Sequence, residues 1–146
     1  MYNDAMEKIQ TLLDKIAGLG ESSKQINQET FVPFIKSLVN GDDFVGSLVI
    51  QANLAGGKKG ILIYVLTSAK LIKVTVSDAD VLSASTYLNQ IIGVEKSFRD
   101  ENGEKRAQIS IEFPGGRFGL GYPANDTEVD NFFQAVDQAV RKCKAK

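Results

Sequence analysis

Residues 60–76, GILIYVLTSAKLIKVTV, constrain this chain most, because so apolar a stretch must cross a membrane, form a buried helix or fold back on itself. A crossing helix needs about 18 or more apolar residues in a row to cover roughly 30 Å of hydrocarbon. The run here extends only over 61–66 before Thr67, Ser68 and Lys70 interrupt it. A helix is disfavoured as well, since Ile61, Ile63, Tyr64, Val65, Ile72, Val74, Thr75 and Val76 are β-branched or aromatic and suit a pleated surface. Two strands remain. Over 71–76, Ile72, Val74 and Val76 fall on one face and Leu71, Lys73 and Thr75 on the other, a period of two. Residues 67–70 then form a short hairpin connection, although they lack the Asn-Gly or Asp-Gly pair that marks the commonest tight turns.

Helical periodicity occupies both ends of the chain. Met6, Ile9, Leu12, Leu13 and Ile16 form an amphipathic stripe after a cap at Asn3 or Asp4 and before stop signals at Gly18 and Gly20. Such a face packs on its own domain or docks on another chain. A second, short helix of about two turns is expected from Pro33 in its first turn, with Phe34, Ile35, Leu38 and Val39 inward and Gly41 as its end. Near the C-terminus, Val129, Phe132, Phe133, Val136 and Val140 recur at spacings of three and four. Asn125, Asp126 or Thr127 can cap that helix, and Arg141, Lys142 and Lys144 suit the negative end of its dipole.

The region between reads as strands. Residues 44–54 form a largely buried one, followed by a turn at Gly56-Gly57. After a break at 77–80, residues 87–98 offer one strand or two around Gly93, while 81–89 carry no firm assignment. Residues 100–104 are a polar turn, and 107–113 alternate Ala, Ile, Ile and Phe with Gln, Ser and Glu as a half-buried strand. A last strand carries Phe118, Leu120 and Tyr122 on one face, and the glycines between them leave its other face bare.

Composition excludes much chemistry. With no histidine among 146 residues, imidazole acid/base work, Ser/His or Cys/His nucleophiles and His-ligated zinc are impossible. One cysteine, Cys143, excludes an internal disulfide and suits a reducing compartment. The net charge of -1, from 17 basic and 18 acidic residues, supplies no broad positive field for nucleic acid. The carboxylate pairs Asp42/Asp43, Asp78/Asp80 and Asp100/Glu101 fall in turns, where capping and solvation explain them. Residues 55–60, AGGKKG, lack the glycine spacing and the Ser/Thr after lysine of a phosphate loop. The opening MYNDAMEKIQ has no apolar core of the signal-peptide kind, so the expected location is cytoplasmic. No catalytic residue, metal site or cofactor is expected.

Strands over 44–122 followed by a helix at 127–142 resemble the pleckstrin-homology-like (PH-like) superfold. The motifs "VLTSAKLIKVTV" and "IIGVEKS" are similar to its bacterial members, where an "LTxxRLI" hairpin precedes a strand reading "I..V". The resemblance implies an α+β fold: a strongly bent antiparallel sheet or barrel over 42–146, capped by the C-terminal helix. A helical extension, 1–41, joins it in one globular unit. It also implies a non-enzymatic binding scaffold that engages a protein partner or itself through strand edges or the N-terminal helix. In lipid-binding members, basic residues of the first strand-to-strand loop hold the head group, which would place Lys58 and Lys59 at a weak anionic-ligand or membrane-surface site. Residues 61–66 carry no further Lys or Arg for it. An alternative is an α+β protein-binding domain of the secretion-chaperone kind, which requires a helix between the third and fourth strands, over 81–89.

Overall fold

The apolar stretch folds back on itself. In the computed structural model, which describes residues 2–53, 59–77 and 80–145, Lys59–Thr67 (β2) and Lys70–Ser77 (β3) pair antiparallel, with Ile63 opposite Val74 and Val65 opposite Ile72. Thr67 makes the turn that no Asn-Gly pair provides. Its Oγ1 accepts from the N–H groups of Ala69 (3.1 Å) and Lys70 (2.9 Å), so the buried hydroxyl replaces the backbone bonds of a tighter turn. Lys70 Nζ donates to the Leu38 carbonyl at 2.6 Å and lies 3.4 Å from Asp42, while the Asp43 N–H donates to Ser68 Oγ at 3.1 Å. The paired aspartates of the sequence thus fasten this turn.

The elements run α1 (Tyr2–Ala17), a 3-10 segment (Gly20–Gln25), α2 (Gln28–Val39), β1 (Phe44–Asn53), β2, β3, β4 (Asp80–Tyr87), a second 3-10 segment (Leu88–Gln90), β5 (Gly93–Glu101), β6 (Glu104–Phe113), β7 (Gly116–Pro123) and α3 (Thr127–Lys144). The class is α+β, with two antiparallel sheets ordered β1-β2-β3-β4 and β5-β6-β7, strongly curled and not closed. Two compact units divide the chain, Met1–Ser85 and Thr86–Lys146.

In the first unit one core joins helices and sheet. Ile9, Leu12 and Ile16 of α1 and Phe31, Ile35 and Val39 of α2 cluster with Phe44, Ile61, Ile63, Val65, Ile72, Val74 and Val76. The N-terminal helix therefore uses its apolar face within its own unit. Two of its lysines reach edge strand β1: Lys8 Nζ donates to the Val45 carbonyl at 2.8 Å and Lys15 Nζ to the Ser47 carbonyl at 2.7 Å. Helix α2 is longer than its sequence suggests. Asn27 caps it, Oδ1 accepting from the Glu29 N–H at 2.9 Å, so Pro33 sits inside the helix; Asn40, at φ 48, ends it. Cap and proline compete as start signals here, and the cap wins because it satisfies an orphan N–H that proline cannot.

The second unit is a three-stranded meander followed by α3. Asn102 and Gly103 turn β5 into β6 with positive φ of 54° and 84°, conformations that suit these residue types. Register places Lys96 opposite Ile109 and Ile109 opposite Leu120. Asp126 caps α3 by accepting from the Val129 N–H at 3.2 Å, and Val129, Phe132, Phe133, Val136 and Val140 are buried.

Residues 80–90 form strand and 3-10 turn, so the helix that the secretion-chaperone alternative requires over 81–89 is not there. Gly56 and Gly57 lie outside the described residues, and Asn3 and Asp4 fall within α1. Among the described residues no helix is long and apolar enough to cross a membrane.

Candidate functional site

Lys58 lies outside the described residues. Lys59 begins β2, exposed and opposite Asn53, and its carbonyl accepts from Gln25 Nε2 at 3.3 Å. Its ammonium makes no ion pair among the described residues.

A tighter cluster, which sequence reasoning missed, joins β5, β7 and α3. Lys96 Nζ (2.5 Å) and Tyr122 OH (2.9 Å) both donate to Oδ1 of Asp130, in the first turn of α3, and Lys96 Nζ stands 5.0 Å from the centre of the Phe98 ring. The Lys96 hydrogen bond, then that of Tyr122, holds the Asp130 carboxyl below its usual range against the opposing effect of burial. Burial, followed by the Asp130 hydrogen bond and the Asp130 and Asp126 charges, pushes Tyr122 up to about 12. Burial likewise pushes Tyr64 of the first unit up to about 12. Both phenols stay protonated at neutral pH and cannot act as bases. The cluster fastens the helix start to two strands.

The other face of β5-β6-β7 is polar and concave, with a trough of ≈ 670 Å³ lined in part by Glu95, Ser97, Gln108, Ser110 and Arg117. Of the glycines that leave this strand's other face bare, Gly119 makes room for a longer neighbour: a Cβ there would meet Gln108 Nε2 at 3.3 Å, whereas one on Gly121 would only touch an Arg106 nitrogen at 3.6 Å. Arg99 and Arg106 oppose each other across β5 and β6, an arrangement that costs stability, and Arg99 relieves it by leaning to Glu101 at 3.6 Å. Arg117 stands opposite Glu112. Charges of both signs alternate here, so the face offers hydration and no concentrated field.

Strand β4 pairs with β3. It ends the first sheet and is exposed at every position except the half-buried Thr86, on both faces. Leu82 is 69% exposed and Tyr87 53%, and Val81 is exposed beside them. Its sequence, DVLSASTY, has no Lys, Arg, Glu, Pro or Gly, and its one charge is the first residue. Edge strands are ordinarily blunted by such residues or by bulges and covering elements. The opposite edge, β1, is blunted by Lys8 and Lys15 and by a register shift between Phe44 and Gly46.

Among known proteins, no protein-family model matches the chain, and no curated protein matches it either.

Proposed function

We propose that this protein is a non-enzymatic protein-interaction module on a PH-like scaffold, and that it takes an extended segment as an added strand on β4. The carrying observation is an edge strand exposed on both faces, with no Lys, Arg, Glu, Pro or Gly and its single charge at its first residue, Asp80. The scaffold reading draws support from a run of antiparallel strands followed by a C-terminal helix, the order that the resemblance implies. The non-enzymatic reading draws support from the absence of histidine and from tyrosines held protonated. A cytoplasmic setting suits a chain whose single cysteine needs no disulfide partner.

The test is affinity capture on the immobilised full chain from a cytosolic extract of the source cell, which also supplies a tagged copy of the chain, with wild type and Ala84→Lys side by side. Polypeptides retained by wild type and lost by Ala84→Lys are expected. Equal retention by both removes β4 as the binding edge.

A further inference from the structure

We infer that the strand added to β4 is β4 of a second copy of this chain, paired antiparallel about a two-fold axis through Ala84; this rests on the reading of β4 as a binding edge. Antiparallel pairing of identical strands joins residues whose backbone groups point to the same side, so paired positions must differ by an even number. The axis then passes through a residue, Ser83 or Ala84 being central. An axis at Ser83 leaves Tyr87 without an opposite strand residue. With the axis at Ala84, Val81 faces Tyr87, Leu82 faces Thr86, Ser83 faces Ser85, and Ala84 faces itself.

That register covers what is exposed. Val81 and Tyr87 form an aliphatic-aromatic pair on one face, the Leu82 side chain lies against Thr86 on the other, and Ser83 and Ser85 can exchange hydroxyl hydrogen bonds. At the axis, where any residue meets its own copy, stands a methyl group. The single charge, Asp80, falls beyond the paired segment at each end, so no like charges oppose. A partner of other sequence needs complementary residues of its own, whereas here both halves of each pair are in one strand.

The paired segment, 81–87, is about 24 Å long and one strand deep, at the low end of specific interfaces, so the dimer is expected to be weak, with a dissociation constant on the order of micromolar or above. Sedimentation velocity of the full chain, from about 1 µM to about 500 µM, samples that range. Wild type is expected to pass from monomer to dimer. Ala84→Lys sets two ammonium groups against each other at the axis and is expected to stay monomeric with an unchanged far-ultraviolet circular dichroism spectrum, as is Leu82→Lys. In a Cys143→Ser background, a short bis-maleimide is expected to join Ala84→Cys to its copy, whereas Val81→Cys, about 20 Å from its copy along the strands, stays unlinked.

A strictly monomeric wild type overturns self-pairing, and the capture experiment then decides by itself whether β4 binds another protein. Persistence of the dimer in both lysine variants overturns its placement on β4. Linkage at Val81→Cys without linkage at Ala84→Cys overturns the register.

Discussion

Replacing Asp130 with asparagine keeps the shape of the side chain and an oxygen for Tyr122 while removing the charge that Lys96 and Tyr122 share. Lys96 and Asp130 side chains are 33% and 28% exposed, so water screens their ion pair, and its loss costs about 0.5–1 kcal/mol. The Tyr122 bond, now to a neutral acceptor, weakens by about 0.5–1 kcal/mol. Asp130→Asn should therefore destabilise the protein by about 1–2 kcal/mol at pH 7 in urea denaturation followed by circular dichroism. Asp130→Ala also leaves the buried Tyr122 hydroxyl without its acceptor, which raises the cost to about 2–4 kcal/mol. The sign with pH follows from the carboxyl's lowered pKa: its stabilisation is complete above the ordinary carboxylate value and is lost as pH falls through the lower folded value. The gap between wild type and Asp130→Asn should accordingly close on acidification. An Asp130→Asn protein as stable as wild type at pH 7, or a gap of constant size down to acid unfolding, would show that this carboxylate holds nothing together.

Three other outcomes follow from the same structure. Thr67→Val removes the oxygen that accepts from Ala69 and Lys70 and should cost about 2 kcal/mol in the same denaturation assay, with Thr67→Ser recovering most of it. Tyr64 and Tyr122, each raised from 10.0 to about 12, give stability that is full below pH 10 and lost as pH rises toward 12. Phenolate absorbance should then rise in step with alkaline unfolding, and titration of all four tyrosines near pH 10 in the folded protein would contradict this. Vesicles with and without anionic lipid should leave equal amounts of protein in the supernatant on sedimentation, because a lysine near such a surface contributes only about 1 kcal/mol; pelleting that Lys59→Ala abolishes would restore the lipid site.

Legibility in the sequence tracked burial on one face. The hairpin showed itself because β3 alternates, and α3 because its apolar residues keep helical spacing and Asp126 precedes them. Strand β4 gave an ambiguous reading over 81–89 for the converse reason: neither of its faces is buried, so selection for burial left no period to find. In α2 the proline misled. A proline inside a helix costs about 3 kcal/mol, but burial of Phe31, Ile35 and Val39 at about 1.5–3 kcal/mol each more than offsets that, and the helix runs through it from Asn27. The Lys96, Tyr122 and Asp130 cluster was invisible because its members lie 34 and 8 residues apart and meet only when α3 returns to the strands. Lys59, read from the sequence as part of the loop joining the first two strands, is the first residue of β2.

The amines of Lys8 and Lys15, resting on the carbonyls of β1, limit how many copies an assembly can hold. Within the first sheet they leave one border open: the border at β1 is occupied from within the same chain, and the border at β4 is left to accept a strand. Pairing two copies through β4 would leave an eight-stranded sheet with an amine-guarded rim at each end, so the first sheet could grow no further by the same contact.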